Sequence, residues 1–542
     1  MNTSNTPGPT PGETLPGFLQ TGVAGLPWGP VLVALLVLTI CTWRFFPSSD
    51  RVSAPFAGFR SSLEPGFITR LRFATGASGI IGEGYSKWKD SRFRISRTDG
   101  DLLVVSRKYL DELHNMPLDR LSSIKGLVKN FGGHYSGIGL LAESDIGTRA
   151  LQSKITPNLA KLSDAMREEL EYALQKEVPS CADWTSVSIQ PMLLNIAVQI
   201  SQRVLIGLPL CRNREWLDAA STHSHNVTMT QMAMRTVPPV LRPLLDLVLP
   251  TAWRYKAAVR RGKEIIIPEI QRRRQLEETD TGYVKPVDLL QGMMDLAAPG
   301  DKESEAENLA HRQLLVTLVA GHSTAAAGSH ALLDAVAQPH YLNELRSEAL
   351  QVLQEEGGEW KRQSVSKLWK MDSFLRESQR LSPPSLLGFH RVVQDPTGIT
   401  LHDGVHLPHG THICMAPHSV SSDPAIVPKP DVFDGLRYYE RRRKNPDEAT
   451  RHQHATADKD HLHFGYGTWS CPGRFLASAE LKMILVELLL RYEFKYPKGS
   501  SRPKNRNIEE FPYVDTDTPL LMRRRGQVED EEGLLMAARG KK

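Results

Sequence analysis

The feature that most constrains this chain is a cysteine in a glycine-rich segment that directly precedes a long helical pattern. Residues 463–474 have the sequence HFGYGTWSCPGR, and helical periodicity begins at Phe475. Backbone N–H groups at a helix start stabilise negative charge, so they favour the thiolate of Cys471, which is the form that binds metals. Glycines, which let another group approach the backbone closely, stand at Gly465, Gly467 and Gly473. The segment predicts a thiolate metal ligand in a loop packed under a planar cofactor.

The alternative for the same segment is a glycine-rich turn around a structural cysteine, because a free buried cysteine usually behaves as a small apolar residue. If a metal is bound, the loop amides can donate hydrogen bonds to the sulfur and tune the redox potential of the metal. The loop alone leaves both interpretations open. Two further motifs favour the first.

The second motif lies in an apolar helical pattern over residues 306–337. Glycine costs a helix about 1 kcal/mol relative to alanine, so Gly321 predicts that something presses against the backbone there. Thr324 can donate to a carbonyl of the preceding turn and open the helix locally. With ordered water, its hydroxyl can relay protons. The alternative is a core helix whose small residues permit tight packing.

The third motif is the pair Glu377 and Arg380, whose side chains meet on one helix face at a spacing of three residues. The same E-x-x-R spelling also occurs at residues 269/272, 359/362, 440/443 and 448/451. Most such pairs are solvated and contribute little stability. Only Glu377 and Arg380 are followed at once by a Ser-Pro-Pro helix stop and then by strand patterns, which distinguishes this pair from the other four.

Taken in chain order, the three motifs resemble those of the cytochrome P450 superfamily, whose patterns are A-G-x-[DE]-T, E-x-x-R and F-G-x-G-x-[RH]-x-C-x-G. The resemblance implies heme b, with its iron axially ligated by the Cys471 thiolate. It also implies that Glu377 and Arg380 form a buried triad with Arg437. This triad would hold residues 463–474, the cysteine loop, in place. The loop residues that it assigns to cofactor binding are Phe464, Gly465, Gly467 and Gly473.

Two positions depart from the family patterns. Trp469 stands where family members commonly place an Arg or His that contacts a heme propionate, so we assign that contact to Arg391. Ser323 replaces the usual acid beside Thr324. Proton supply to Thr324 is therefore expected to run through water, Ser323 or the neighbouring His322, and Thr324 and Ser323 are the catalytic candidates.

Two segments rich in histidine, arginine or lysine are interpreted as solvated surface rather than as functional sites. The histidines at 452, 454, 461 and 463 have the spacing of a metal site, but we interpret them as part of a solvated loop. The basic run at residues 441–444 is interpreted as a solvated turn. Together with Arg474 and Lys482, it could instead steer an acidic redox partner to the protein.

Helical periodicity dominates the remainder of the chain, and the resemblance covers roughly residues 59–518. The predicted helices are 163–178, 190–206, 255–276, 306–337, 341–355, 365–380 and 475–492, and the predicted strands are 94–95, 102–105, 400–401 and 411–414. We therefore predict a mainly α protein with small β-sheets. The resemblance implies the cytochrome P450 fold, with a single large catalytic domain at residues 66–522 behind an N-terminal transmembrane helix.

The N-terminal region predicts a membrane anchor. No charged residue lies between Glu13 and Arg44, and residues 23–46 are long enough to cross a bilayer core of about 30 Å. A cleaved secretory signal is the alternative, but no Lys or Arg precedes the apolar run. Basic residues after the span favour a cytosolic catalytic domain. The predicted segments are a lumenal end at 1–22, the anchor at 23–46, a hinge at 47–65 and a charged tail at 523–542.

Composition excludes some partners. Lys and Arg number 66 against 61 Asp and Glu, a balance too even for a nucleic-acid-binding surface. Five scattered cysteines indicate a reducing compartment rather than a disulfide framework. No flavin, nicotinamide or phosphate-loop motif is present, so NADPH electrons are expected through a separate cytochrome P450 reductase, with cytochrome b5 as a candidate second donor.

The resemblance is strongest to fungal microsomal enzymes of secondary metabolism. It rests on the sequence GEGY at residues 82–85, on residues 151–159 and on FDG at residues 433–435. It implies an endoplasmic-reticulum monooxygenase that uses O2 to oxidise a lipophilic metabolite of terpenoid, meroterpenoid or indole-terpenoid type. The alternatives are a heme-thiolate isomerase or dehydratase that needs no reductase, and a non-catalytic, membrane-tethered heme protein.

Overall fold

The computed structural model describes residues 52–61, 64–237, 239–516 and 518–526. The predicted lumenal end and membrane anchor lie outside the described residues, as does most of the predicted charged tail. None of the helices in the described ranges combines the length and apolar character that a bilayer crossing requires. The predicted domain boundaries stay predictions.

Helices make up most of the described chain, which confirms the expectation of a mainly α protein. They are α1 (Gly66–Trp88), α2 (Leu110–Leu113), α3 (Ser123–Asn130), α4 (Ile146–Ala150), α5 (Leu159–Glu177), α6 (Ile189–Leu205), α7 (Arg214–Arg235), α8 (Arg242–Val248), α9 (Pro250–Thr279), α10 (Leu289–Leu296), α11 (Ala306–Ala337), α12 (Pro339–Glu355), α13 (Trp369–Leu381), α14 (Pro417–Ser421), α15 (Arg437–Lys444) and α16 (Arg474–Arg491).

The strands form small sheets, as predicted. They are β1 (Arg92–Arg97), β2 (Gly100–Val105), β3 (Leu121–Ser122), β4 (Thr185–Val187), β5 (Gly388–Val393), β6 (Ile399–Thr400), β7 (His406–Leu407), β8 (His412–Met415), β9 (Tyr492–Lys495), β10 (Arg506–Ile508), β11 (Phe511–Tyr513) and β12 (Leu520–Arg524). The largest sheet has the order β1-β2-β8-β5-β3, in which only the β2/β8 pair is parallel. A three-stranded sheet has the order β4-β12-β9, and β6/β7 and β10/β11 are two-stranded.

Helix α11 runs through the main hydrophobic core and has the bounds that its periodicity predicts. It packs closely on two neighbouring helices because small residues stand at the contacts. A Cβ atom on Gly321 would lie 2.5 Å from Cγ2 of Val198 in α6, and one on Gly328 would lie 3.0 Å from Cδ2 of Leu481 in α16. The group pressed against Gly321 is therefore a helix of the protein itself, which is the tight-packing alternative for this glycine.

The prediction of one helix over residues 365–380 is wrong at its start. A 3-10 turn at Ser364–Lys367 ends at Leu368, whose ψ of 74° is not helical, and α13 begins at Trp369. The Glu348 carboxylate of α12 accepts hydrogen bonds from the amides of Lys370 and Met371 at 2.6 and 2.9 Å. A helix start leaves such amides without intrahelical partners, so this tertiary contact fixes where α13 begins.

Candidate active site

The cysteine loop is closed on itself by a backbone hydrogen bond. The Cys471 amide donates to the Phe464 carbonyl at 2.7 Å, and α16 begins three residues after the cysteine. Burial raises the pKa of the Cys471 thiol, and this effect is opposed by the Gly473 amide, the positive charge of Arg474 and the Arg474 amide. These groups direct favourable dipoles and positive charge at the sulfur and partly offset the effect of burial, as the surroundings of a thiolate ligand do.

Glycine is favoured at the three positions of the loop for different structural reasons. Gly465 and Gly467 have φ angles of 75° and 74°, in the left-handed region that favours glycine. A Cβ atom on Gly467 would also lie 2.9 Å from the backbone carbonyl oxygen of His114, so this glycine makes room for another part of the chain. A Cβ atom on Gly473 would meet no atom within 4 Å. Of the three, Gly473 alone leaves the open approach expected beside a cofactor.

Arg391 lies on β5, where the strand is irregular. The register with β8 shifts between Gly388 and Arg391, and Phe389 has a φ of 55°. Such bulges often redirect a side chain beside a functional site. The Arg391 guanidinium is buried and 4.1 Å from the Phe389 ring centroid, its Nη1 donates to the His390 carbonyl at 2.9 Å, and its Nη2 has no acceptor among the described residues.

Burial lowers the pKa of Arg391 to about 10, because no carboxylate within the described residues compensates the charge. A buried cation with a free donor is costly unless an anion pairs with it. A heme propionate is such an anion. This orphaned donor and the donor set around the Cys471 sulfur fit the heme that the sequence resemblance implies.

Glu377, Arg380 and Arg437 form one ion network. Arg380 donates two hydrogen bonds of 2.9 Å to the Glu377 carboxylate, and both side chains are fully buried. Arg437 at the start of α15 adds hydrogen bonds of 3.2 and 3.3 Å to the same carboxylate. Arg380 also donates to the carbonyl of Ser421, and Arg437 donates to the carbonyl of Pro428. The network therefore ties α13 to the chain that leads towards the cysteine loop.

The hydroxyls of α11 bond within their own helix. Thr324 Oγ1 donates to the Ala320 carbonyl at 2.9 Å and Ser323 Oγ donates to the Val319 carbonyl at 3.2 Å. The helix nevertheless continues through these residues to Ala337, so the expected local opening at Thr324 is not seen. A hydroxyl that donates to a carbonyl still has lone pairs with which to accept a hydrogen bond.

A cavity of about 320 Å³ is lined by part of the predicted site, and neither Cys471 nor Arg391 is among its lining residues. Its lining includes Thr324 and Ser323 of α11, Phe464 of the cysteine loop and Ala477 of α16. The hairpin β10/β11 contributes further lining residues, which sequence reasoning missed because no local pattern marks them. The missed residues on this part of the wall are Phe511, Pro512, Tyr513, Val514 and Thr516.

The interpretation of the histidine segment as a solvated loop is wrong. His454 and His461 are each only 1% exposed. His454 lies against Phe464 with ring centroids 5.4 Å apart, and Nε2 of His461 donates a hydrogen bond to the amide oxygen of Gln379 at 3.1 Å. Burial lowers the pKa of His454 to about 3, so its ring is neutral. These rings pack behind the cysteine loop.

The basic run is also less solvated than predicted. Arg442 is buried, lies 4.0 Å from the Trp369 ring centroid and pairs with Asp372 at 3.3 Å. Lys482 is buried and pairs with the same carboxylate at 2.6 Å. Because Asp372 holds both cations inside the protein, neither is available to steer a partner. Arg443 and Lys444 remain exposed.

Comparison with known proteins gives concordant results. Residues 144–513 match the family Cytochrome P450. Cytochrome P450 monooxygenase terK of Tolypocladium album is 68% identical over 97% of this chain and 99% of its own length. Cytochrome P450 monooxygenase ltmK of Epichloe festucae is 50% identical over 95% and 96%. Ent-kaurene oxidase of Gibberella intermedia is 35% identical over 97% and 99%.

Proposed function

The chain belongs to the cytochrome P450 family of monooxygenases, and from that premise we propose that it oxidises a lipophilic, terpenoid-type secondary metabolite with O2 and reductase-supplied electrons. The observation that carries this proposal is the cavity of about 320 Å³, which Thr324 and Phe464 line together. One space thereby has a hydroxyl suited to proton transfer on one wall and Phe464 of the cysteine loop on another.

The residues that would hold the cofactor are those whose environment fits it. Cys471 would ligate the iron, Gly473 and Arg474 would donate amide hydrogen bonds to its sulfur, and Arg391 would pair with a propionate. Phe464 would pack beside the cofactor. Bound there, heme iron supplies the activation of dioxygen and the transfer of one oxygen atom to a C–H bond.

We propose that protons reach Thr324 by way of His322. His322 lines the main cavity and also a second cavity of about 230 Å³, whose lining includes Thr317, Ser224 and Glu177. Burial, with a smaller contribution from His225, lowers the pKa of His322, so its neutral ring has one nitrogen to accept and one to donate a proton. The polar lining of the second cavity supports water between this ring and solvent.

The proposed substrate class rests on the cavity wall and on a relative. Phe511, Pro512 and Val514 present apolar surface to the cavity from one side, and Pro383 and Ala327 do so from others. Such a lining favours a ligand with few polar groups. The relative named ent-kaurene oxidase acts, by its name, on a terpene. A terpenoid skeleton is therefore the substrate class that we propose for this chain.

We also propose that the protein is anchored in the endoplasmic-reticulum membrane by residues 23–46, with the catalytic domain in the cytosol. The apolar run in the sequence supports the anchor. An exposed apolar patch before and on α8 and at the start of α9 supports contact with the bilayer surface. Its residues are Val240, Leu244, Leu247, Val248 and Trp253.

The electron donor in this proposal is an NADPH-cytochrome P450 reductase, with cytochrome b5 as a second candidate. Arg443 and Lys444 on α15 are exposed and share the single carboxylate of Glu440, so a net positive charge remains there. This charge supports docking of an acidic partner by electrostatic steering. Arg474 follows the cysteine loop directly and could extend this surface.

The test is turnover of candidate terpenoids by the full chain in nanodiscs with reductase, NADPH and 18O2. We expect products that carry one labelled oxygen per oxidation and that require all three components. Products formed without NADPH and O2 would instead establish the isomerase or dehydratase alternative. No product with any candidate, and no effect of Thr324→Ala on NADPH consumption, would favour a non-catalytic heme protein.

The role of Thr324 has a matched control on the same helix. Thr324→Ala should divert electrons to hydrogen peroxide and lower the product formed per NADPH about tenfold or more, because proton delivery is impaired. Ser329 makes the same kind of hydrogen bond, to the Ala325 carbonyl at 2.8 Å, but does not line the cavity. Ser329→Ala should leave coupling unchanged. Equal uncoupling in both variants would contradict the assignment.

A further inference from the structure

A further and larger cavity lies apart from the two cavities that His322 lines. It is a surface groove of about 660 Å³ between α5, α12, the segment after α12 and α16. Its floor is apolar and is formed by Leu170, Leu350, Leu353, Trp360 and Leu490. Of these residues, only Leu170 and Leu490 are fully buried by the rest of the protein. The remaining floor is partly exposed, and open apolar surface of this kind usually serves to bind something.

The rim of the groove is acidic. Five carboxylates line the rim, and the guanidinium groups of Arg167 and Arg491 are the two cations beside them. The carboxylates are those of Asp164, Glu168, Glu171, Glu359 and Glu487. Arg491 pairs with Glu171 and Glu487 at 2.7 and 2.8 Å, so its positive charge is compensated by carboxylates of the rim itself. Asp164, Glu168 and Glu359 are exposed. Arg362 lies 3.6 Å from Asp164 and Arg212 lies 3.3 Å from Glu168. Of these three carboxylates, Glu359 alone has no ion pair within the described residues. A ligand that combines apolar side chains with positive charge would complement this groove.

The described chain ends beside the groove. Strand β12 runs antiparallel to β9, which follows α16 directly, and pairs Arg524 with Tyr492. The Arg525 amide then donates to the carbonyl of Arg491 at 2.9 Å. Because Arg491 is itself a groove residue, the chain leaves the described fold at Gly526 next to one end of the groove.

The sequence beyond that point has the matching chemistry. Residues 527–542 read QVEDEEGLLMAARGKK, with an apolar triplet at 534–536 followed by Arg539, Lys541 and Lys542. Seven residues separate Gly526 from Leu534, and an extended chain advances about 3.3 Å per residue, which is ample to reach over the groove. The acidic stretch at 529–532 would lie near Arg525 and its basic neighbours, where its charge is also complemented.

We propose that the groove is the docking site of the chain's own C-terminal tail. The triplet at 534–536 occupies the apolar floor, and the basic end pairs with the exposed carboxylate of Glu359. Occupation braces α5 and α12 against α16, the helix that follows Cys471. The tail is tethered next to its site, so its effective concentration there is about millimolar and modest intrinsic affinity suffices.

The test is hydrogen exchange of the full chain in nanodiscs, compared with a chain truncated after Gly526. Peptides covering residues 350–360 should exchange at least about fivefold faster after truncation, whereas peptides from α9 should not change. Leu534→Asp with Leu535→Asp should reproduce the truncation, because charge cannot enter the apolar floor. Gln527→Asp adds charge to the same tail outside the triplet and should retain full protection.

A charge exchange tests the register of the tail. Glu359→Lys should weaken protection of residues 350–360, and combining it with Lys541→Glu and Lys542→Glu should restore protection. Glu359 is exposed on a loop, so its substitution should leave the fold intact. Equal exchange in the full and truncated chains would overturn the proposal. Protection that rises with protein concentration would also overturn it, because the occupant would then be the tail of a second copy.

Discussion

Replacing Glu377 with glutamine should destabilise the protein severely, and the structure indicates by how much. Glu377 and Arg380 are both fully buried, and the carboxylate accepts hydrogen bonds from Arg380 and Arg437. Glutamine keeps the shape but removes the negative charge, which leaves two guanidinium groups without compensation. Stranding a buried charge in this way costs about 3–5 kcal/mol, a large part of the 5–15 kcal/mol that typically stabilises a fold.

The same sequence motif provides the control. Glu440 and Arg443 have identical spacing and a bond of 3.0 Å, but their side chains are 38% and 60% exposed. An exposed pair contributes about 0–1 kcal/mol, so Glu440→Gln should change stability by no more than that. Urea unfolding of both variants, followed by tryptophan fluorescence and heme release, measures the difference. If the free energies of unfolding of the Glu377→Gln and Glu440→Gln variants differ by less than about 1 kcal/mol, the argument that burial makes the first pair more important than the second is refuted.

Three further predictions concern other parts of the fold. Gly321→Ala should cost about 1–3 kcal/mol by overpacking against Val198, and Val198→Ala should recover most of that loss in the double variant, measured by urea unfolding. Burial raises the pKa of Glu480 to about 8 although Ser201 donates to it, so the folded state binds a proton that the unfolded state releases near pH 4.5. Stability should therefore fall as pH rises from about 4.5 to 8, and Glu480→Gln should remove most of this fall in unfolding curves at pH 5 and pH 8; a slope unchanged by the substitution would contradict the assignment. Arg391→Ala should lower heme occupancy after purification and speed heme transfer to apomyoglobin about tenfold or more, whereas heme retention equal to that of the wild type would exclude a propionate contact.

Local sequence patterns predicted the elements whose causes are local. The bounds of α11 follow from its apolar periodicity, and the helix ending before Pro383 follows from the Ser-Pro-Pro stop. The loop at Cys471 was recognisable because a thiolate ligand before a helix needs small residues within a few positions. These features depend on neighbours in the chain, so the sequence alone constrains them.

Features that depend on distant residues were beyond such patterns. Gly321 looked like room for a ligand, but Val198, which lies far away in sequence, occupies that space. Arg442 was interpreted as part of a solvated turn, but it is buried and paired with Asp372. The hairpin that lines the cavity carries no motif at all. In each case the deciding contact exists only after the chain has folded.

The central claim is that the Cys471 sulfur ligates a heme iron. The most direct test is the carbon-monoxide difference spectrum of the reduced, purified full chain, with Cys211→Ala as a control because Cys211 is a buried cysteine elsewhere in the core. The account predicts about one heme per chain and a thiolate-type Soret band in the wild type and in Cys211→Ala, and loss of that band in Cys471→Ala. A wild-type protein without the band, or a Cys471→Ala protein that retains it, would contradict the claim.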